Sequence, residues 1–169
     1  FTVIADGNQL SGIDNLVGVT LIKQVNKIAL ARLIFKDGDA ASEDFPLSNG
    51  ENLIPGKEIE IAAGYHNEEE TIFKGLIIKQ SIRVKNSKNS YLVVECKDKS
   101  YRLSMGRQSR YFSDSTDSEA LEEILNSYEL EVDVESTEVS HRHLVQYHSS
   151  DWDFMVSRAE LNGKLVFVD

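Results

Sequence analysis

The histidines near the C-terminus are the first residues whose type and spacing could support chemistry. His141 and His143 are two apart, so a strand would point both imidazoles to one face, and His148 follows closely. Imidazole is the commonest metal ligand among side chains. No cysteine or carboxylate completes a ligand set at a familiar spacing, however, so the pattern favours a polar strand edge and predicts no metal site.

The acids around the single tryptophan are the candidates for acid–base chemistry, namely Asp151, Asp153 and Glu160. Paired carboxylates must converge on a substrate, but helical residues two apart point about 200° away from each other. The first two acids are explained more simply by the helix dipole, which favours negative charge at a helix start. A hydrolase that uses these acids is therefore the least favoured of three functional hypotheses.

The single cysteine and one aspartate-rich turn complete the search for chemistry. Cys96 shares an apolar strand face with Leu92 and Val94, so we expect a packed thiol without the basic neighbour that a nucleophile needs. Residues 37–39 (Asp-Gly-Asp) begin like a calcium loop, but the closing glutamate is missing. The sequence thus predicts no catalytic residue and no cofactor.

Composition argues against several classes of function. The chain has 169 residues and a net charge of −10, with 28 acidic and 18 basic residues, whereas nucleic-acid binders usually carry a basic surface. No apolar run reaches the ~20 residues of a membrane helix. We therefore expect neither a nucleic-acid partner nor a membrane-spanning segment. Because the last residues have a strand pattern, we also expect the chain to be part of a longer polypeptide.

Residues 1–106 are predicted to be almost entirely β structure. Strand patterns follow one another at residues 1–5, 16–25, 27–36, 58–65, 71–85 and 90–97. The second and third patterns adjoin at Asn26, so they form either a tight hairpin or one long bent strand. Six or so antiparallel strands with short turns favour a small, tube-protein-like β-barrel, because closure removes exposed edges.

Residues 107–169 are predicted to be a second part of α/β character that is incomplete in this chain. Thr116 and Glu119 form a capping box, and the apolar spacing that follows indicates a helix of about three turns. Strand patterns occur at residues 131–135, 143–147 and 164–169. The expected fold class is therefore mainly β with an α+β second part.

The helix that begins after Ser150 has the strongest pattern in the chain. Ser150 is a good N-cap, and Asn162-Gly163 supplies the left-handed residue that ends many helices. Apolar residues between them recur at the spacing of one buried face. We expect the core around this helix to contain Tyr147, Trp152, Met155 and Val156.

Two segments are candidates for contact with a partner. The acidic segment 37–56 is long for a loop within a compact domain, which favours local structure or a contact surface. Its candidate contact residues are Asp37, Asp39, Asp44 and Phe45. Near the expected domain boundary, Arg107 and Arg110 cluster with aromatic residues and are candidates for a contact with a partner or between domains.

Several motifs, taken in order, resemble the spike proteins of the VgrG and Rhs-element Vgr family. In the first part they are residues 53–57 (Leu-Ile-Pro-Gly-Lys), 59–61, 64–65, 73–75 and 94–99. In the second part they are residues 106–107, 111–112, 117–125 and, most strongly, 146–163 with its Ser-Asp-Trp-Asp-Phe, Arg-Ala-Glu and Asn-Gly segments. The same motifs are similar to those of contractile-tail hub proteins of phages, and together they span most of the chain.

The resemblance implies a structural hub protein without catalysis, from a type VI secretion system or a phage-like contractile particle. In that family the hub is a homotrimer whose subunits each carry two tube-like barrels, so that six barrels match a hexameric inner tube. A needle, often with a PAAR-type tip, and effectors complete the spike. This chain would hold the first barrel and the start of the next domain. The implied location is cytoplasmic during assembly, then secreted or delivered into a target cell.

The alternative function is that of a stand-alone β-rich module. Such a module would bind carbohydrate or protein through the 37–56 segment. This hypothesis also agrees with the absence of a catalytic set of residues. It predicts that the chain does not associate with a tube protein.

Overall fold

The computed structural model describes residues 1–11, 13–38, 44–65, 68–86 and 89–168. They divide into two compact units, with Phe1–Lys23 and Ile28–Lys99 in unit 1, and Gln24–Lys27 and Ser100–Val168 in unit 2. The first unit consists mainly of strands. The two α-helices of the described residues belong to the second unit. The predicted fold class, mainly β with an α+β second part, is confirmed. A domain boundary between residues 106 and 107 stays a prediction.

Unit 1 is an antiparallel sheet that contains seven strands among the described residues. In chain order they are β1 (Thr2–Ala5), β2 (Asn8–Gln9), β3 (Leu16–Ile22), β4 (Leu30–Lys36), β5 (Glu58–Tyr65), β6 (Glu68–Asn86) and β7 (Asn89–Lys97). In space their order is β2-β1-β5-β6-β7-β4-β3. The pairs β1–β2, β3–β4, β5–β6 and β6–β7 join strands that are consecutive in the chain. The other two pairs join β1 to β5 and β4 to β7.

The sheet of unit 1 is open. β2 and β3 lie at its two ends, and the described residues contain no hydrogen-bonded pair between them. The prediction of a closed barrel is therefore wrong, although the strands and their directions are as expected. The ends are protected in another way: β2 has only two residues, and β3 is interrupted by a register shift between Leu16 and Gly18. Short or bulged edge strands resist pairing with other chains.

The 19-residue strand β6 organises this sheet. Its first half pairs with β5 and its second half with β7. Gly75 lies where the two halves join, and a Cβ on it would come 2.2 Å from the carbonyl oxygen of Lys97, so only glycine permits this approach. The core of the unit includes Ala31, Leu33, Phe35, Ile59, Ile61, Phe73, Ile77, Leu92, Val94 and Cys96.

Unit 2 contains a two-stranded ribbon and two helices. In the ribbon, β8 (Gln108–Thr116) pairs antiparallel with β9 (Ser140–Ser149). The helix α1 (Asp117–Leu125) begins with the predicted capping box of Thr116 and Glu119. The helix α2 (Asp151–Leu161) begins after its N-cap Ser150. No helix among the described residues has the length and apolar character needed to cross a membrane.

Two predicted strands of unit 2 do not form. Residues 130–139 and 164–168 are neither strand nor helix, because a period-two pattern becomes a strand only where a neighbour supplies a ladder. Instead, Val166 forms two hydrogen bonds with Asn26. The Asn26 N–H donates to the Val166 carbonyl at 2.8 Å, and the Val166 N–H donates to Asn26 Oδ1 at 2.9 Å.

The remaining local structure is short. In the part of the chain that the structure describes, 3₁₀ helices are formed by Ile13–Asn15, Lys99–Ser104 and Asn126–Tyr128. Asn26 adopts a φ of 58°, a left-handed conformation that asparagine tolerates. Of the two alternatives for this region, pairing as a hairpin is correct, because β3 and β4 pair with each other, but the hairpin is not tight, since residues 23–29 connect the last pair, Ile22 and Leu30.

Candidate functional site

The buried carboxylate of Asp151 is the centre of a polar network at the start of α2. Arg110 on β8 donates to both of its oxygens. Gln146 donates through Nε2 at 2.7 Å, and the Tyr128 hydroxyl donates to Oδ2. Burial alone would raise the pKa of Asp151, but the hydrogen bonds, led by that of Arg110, outweigh burial and hold the pKa below its usual value. Asp151 is therefore a satisfied, ionised side chain.

A second buried carboxylate, Asp117, has an equivalent place at the start of α1. It accepts hydrogen bonds from Arg158 Nε and from Asn162 Nδ2 at 2.8 Å, and its Oδ2 lies 3.1 Å from His141 Nε2. Burial opposes ionisation here too, yet the bonds from Arg158, Asn162 and His141 lower the pKa of Asp117 to about 2. Both acids are the first residues of their helices, where the helix dipole favours an anion.

The carboxylates of Asp117 and Asp151 are buried and occupied by internal hydrogen bonds, so neither is open to a substrate. The side chain of Asp151 is 0% exposed. The other two acids near it have separate partners, since Asp153 accepts from Ser150 Oγ at 2.6 Å and Glu160 accepts from Asn26 Nδ2 at 2.9 Å. The three acids of the hydrolase hypothesis are thus not brought together around a common space.

The three histidines do not form a metal site. His141 belongs to the Asp117 network, where its Nε2 lies 3.1 Å from Arg158 Nη2. His143 is hydrogen-bonded to the Tyr111 hydroxyl. The backbone of His148 donates to Ser109 Oγ at 3.2 Å. The described part of the chain contains no group of three or more His, Cys, Asp or Glu residues that could hold a metal ion.

Cys96 is a buried thiol in the core of unit 1. Burial, with a smaller contribution from the neighbouring charge of Glu95, raises its pKa to about 12. The thiolate is the reactive form of cysteine. This side chain is therefore chemically inert near neutral pH, as the strand pattern predicts.

The residues expected around α2 divide between core and surface. Trp152 is 8% exposed and Met155 is also buried, while Val156 is half-buried. Tyr147 is 82% exposed, so its expected place in the core is wrong. On β9 the buried face belongs to Leu144 and Gln146, and Tyr147 points to the other face because strand residues alternate.

Two core residues of this unit escaped the sequence-based prediction. Phe154 is buried and stacks on Phe112 of β8, with ring centroids 6.2 Å apart. Gln146 is 0% exposed, although glutamine is usually a surface residue. A polar residue at a buried strand position indicates a hydrogen-bonded network. In the sequence, the burial of Gln146 is suggested only by its position two residues after Leu144, on the same strand face.

The acidic segment 37–56 has a buried anchor. Asp37 is 2% exposed, and its carboxylate accepts from the N–H groups of Leu47 at 2.9 Å and Ser48 at 2.7 Å. Its side chain therefore holds a turn and is not open to a partner. Asp44 is exposed and Phe45 is half-buried, so their contact with a partner stays a prediction. Asp39 lies outside the described residues.

The two candidate arginines have different roles. Arg110 is committed to the Asp151 network and also donates to Gln146 Oε1 at 2.8 Å. These interactions lie within unit 2, so the expected contact of Arg110 with a partner or between domains stays a prediction. Arg107 is exposed and donates to the His148 carbonyl at 3.1 Å. A contact of Arg107 with another protein stays a prediction.

Unit 2 exposes apolar side chains on its ribbon. Tyr111, Val145 and Tyr147 are all more than half exposed, and Tyr111 and Val145 are directly paired across the strands. Leu161, Leu165 and Phe167 are exposed at and beyond the end of α2. Contiguous exposed apolar surface is typical of protein–protein contact sites.

The chain matches a known sequence family over its full length. The profile of the Alg8 N-terminal domain family matches residues 1–169. The chain belongs to this family. No curated protein matches it significantly, and membership of the Vgr family itself stays a proposal.

Solved structures with the same fold come from tail-like machines. One is a crystal structure of the 43 kDa tail protein of prophage MuSo2 from Shewanella oneidensis, with a TM-score of 0.73 and 14% identity, over 99% of this chain and 52% of that chain. Another is the E. coli c3393 protein, with a TM-score of 0.56 and 14% identity, over 83% of this chain and 40% of that chain.

The second structure is described as a component of the type VI secretion system that is structurally similar to the T4 bacteriophage tail proteins gp27 and gp5. The chain thus spans about half the length of the first structure and less than half of the second. At this level of identity the likeness establishes the shared fold.

Proposed function

We propose that this chain is a structural part of the hub or spike of a tail-like injection machine. The observation that supports it best is the likeness of fold to a prophage tail protein over 99% of the chain. The likeness to a component of the type VI secretion system supports the same class of machine. A structural role also agrees with the buried acids Asp117 and Asp151, whose carboxylates are occupied by hydrogen bonds within the protein.

The detailed role that we propose follows the resemblance found in the sequence. The longer protein forms a homotrimer, adapts a hexameric inner tube to a three-fold needle and carries effectors and a PAAR-type tip. A trimer with two similar sheet domains per subunit presents six repeated contacts to a six-fold ring. The protein would be assembled in the cytoplasm and then delivered outward. The exposed apolar ribbon of Tyr111, Val145 and Tyr147 offers surface for such assembly.

The test is whether the longer protein caps tubes. Purified protein is mixed with assembled inner tubes of the same machine, and electron microscopy scores the fraction of tube ends that carry extra density. We expect capped ends and a trimeric mass by light scattering. A stable monomer at micromolar concentration that leaves tube ends bare would overturn the proposal.

The carbohydrate-binding alternative has no comparable support. Among the described residues of the 37–56 segment, Asp37 is turned inward and holds Leu47 and Ser48. A glycan array with the same preparation checks it directly. Specific glycan binding together with bare tube ends would replace the proposed function by this alternative.

A further inference from the structure

Charge is segregated along the longest strand of the protein. β6 begins with Glu68, Glu69 and Glu70, and no acid follows in its remaining residues. Its second half carries Lys79, Arg83 and Lys85 instead. At about 3.3 Å per residue, the acidic start and the basic end lie tens of ångströms apart along the strand. One element of unit 1 therefore has opposite charges at its two ends.

The basic end extends across neighbouring strands into a basic face. Strand register places Lys36 and Arg83 on either side of Tyr91, since each pairs directly with it. In a second row, Arg32 and Lys79 flank Glu95. All six side chains lie on one side of the sheet, because cross-strand partners share a face and residues two apart do too.

This basic face, defined by Lys36, Lys79 and Arg83, carries unbalanced positive charge. Arg32 is paired with Glu95 at 3.0 Å. The described residues supply no acidic partner for the three cations that define the face, and all three are exposed. Such a surface stands out on a chain with a net charge of −10. Its natural ligand is an acidic protein surface.

The chain itself carries an acidic surface of matching character. Tyr65 pairs with Glu68 and Ala63 with Glu70, so Tyr65, Glu68 and Glu70 share one face and define an acidic hairpin end. Tyr65 is 88% exposed, and both glutamates are exposed without a cationic partner among the described residues. Glu69 is not part of this end, because its carboxylate is hydrogen-bonded to the backbone nitrogen of Phe1.

We propose that the basic face of one copy binds the acidic hairpin end of a second copy, head to tail. Two carboxylates are available for the cations, and Tyr65 supplies an aromatic face for the Arg83 guanidinium. Because the two surfaces are different, a pair of bound copies still has one free basic face and one free acidic hairpin end. Further copies can therefore add through the same contact. This contact adds a specific interface to the proposed assembly role. It rests on that role only in assuming that several copies of the chain lie next to one another.

The test uses charge swapping in the chain. Lys79→Glu/Arg83→Glu makes both surfaces acidic, and Glu68→Lys/Glu70→Lys makes both basic. Light scattering and sedimentation at about 0.05 M salt should show wild-type species larger than a dimer, which dissociate at about 0.5 M salt. Each double variant should weaken self-association by about tenfold or more. The variant with all four changes should regain it.

Mixing and control variants make the outcome decisive. An equimolar mixture of the two double variants should regain association into alternating species larger than a dimer, since each acidic surface of one variant meets a basic surface of the other. Glu122→Lys/Glu123→Lys, on the exposed side of α1, changes net charge equally and should leave wild-type association intact. Circular dichroism verifies that each variant is folded.

Several results would overturn the inference. They are a monomeric wild type at low salt, association that stops at a dimer, association insensitive to salt, and a quadruple variant that fails to associate although it is folded. If the wild type binds tube ends without charge-dependent self-association, this inference fails and the proposed function stands. Bare tube ends with intact charge-dependent association would instead overturn the proposed function and leave the head-to-tail contact standing.

Discussion

Arg158, in the last turn of α2, donates a hydrogen bond from Nε to the carboxylate of Asp117, the first residue of α1. Asn162, just past the end of α2, donates to the same carboxylate at 2.8 Å. One acid thus joins the start of one helix to the end of the other. The side chain of Asp117 is 3% exposed and that of Arg158 is 18% exposed, so the ion pair is shielded from water.

Asp117→Asn should destabilise the protein by about 3 kcal/mol or more, because it leaves a shielded guanidinium without its anion. The free energy of unfolding is measured by urea denaturation. Glu122→Gln is the matched control, since Glu122 is exposed on the same helix and should change stability by less than about 0.5 kcal/mol. Equal effects of the two changes would show that the Asp117 network is not a stabilising feature.

Stability should fall steeply in acid. The folded pKa of Asp117 is about 2, below its ordinary value of 3.8, and that of Asp151 is also lowered. A group with a depressed folded pKa contributes stability above its unfolded pKa and loses it as pH falls towards the folded value. We expect the urea midpoint to drop between about pH 4 and pH 2, and less steeply in Asp117→Asn. Parallel profiles would contradict this assignment.

Arg110→Ala and Arg107→Ala should behave very differently although the two residues are neighbours in sequence. Arg110→Ala removes the cation from the fully buried Asp151 carboxylate and should cost about 3–5 kcal/mol. Arg107 is exposed and donates to one backbone carbonyl, so its loss should cost less than about 1 kcal/mol. Thermal and urea denaturation of both variants decide the comparison, and similar losses would refute the assignment.

Trp152→Ala should cost roughly 3–5 kcal/mol, the range for large aromatic truncations in cores. Leu161→Ala in the same helix is the control, because Leu161 is 72% exposed. Tryptophan fluorescence of the wild type should also be blue-shifted, since the indole is shielded from water. A folded, equally stable Trp152→Ala protein would mean that the helix is not packed as described.

Gly75→Ala should destabilise unit 1 by about 1–3 kcal/mol, because the added Cβ has no space beside the Lys97 backbone. Gly18→Ala is the control, as a Cβ on Gly18 has no heavy atom within 4 Å. Both glycines are in strands, so replacing either by alanine reduces the flexibility of the unfolded chain to a similar extent. The difference between the urea midpoints of the two variants therefore reports the steric contact at Gly75. Equal midpoints would refute the close approach.

Local patterns were sufficient where a few neighbouring residues decide the structure. The helix starts at Thr116 and Ser150 follow from side chains that accept hydrogen bonds from N–H groups three residues on. The alternation in β5 indicates a strand with one buried face, and that face contains Ile59 and Ile61. Burial of Trp152 and Met155 follows in the same way from helical spacing.

By itself, therefore, the sequence determined the longer strands of unit 1, the starts of both helices and the burial of Cys96. Only the tertiary structure decided that the sheet stays open, that Tyr147 faces outward, and that Arg110 and Arg158 bind the acids at the starts of the two helices. The physical reason is range: Arg110 and Asp151 are 41 residues apart, as are Asp117 and Arg158. Such partners are chosen by the packing of whole elements and leave no signal in local spacing.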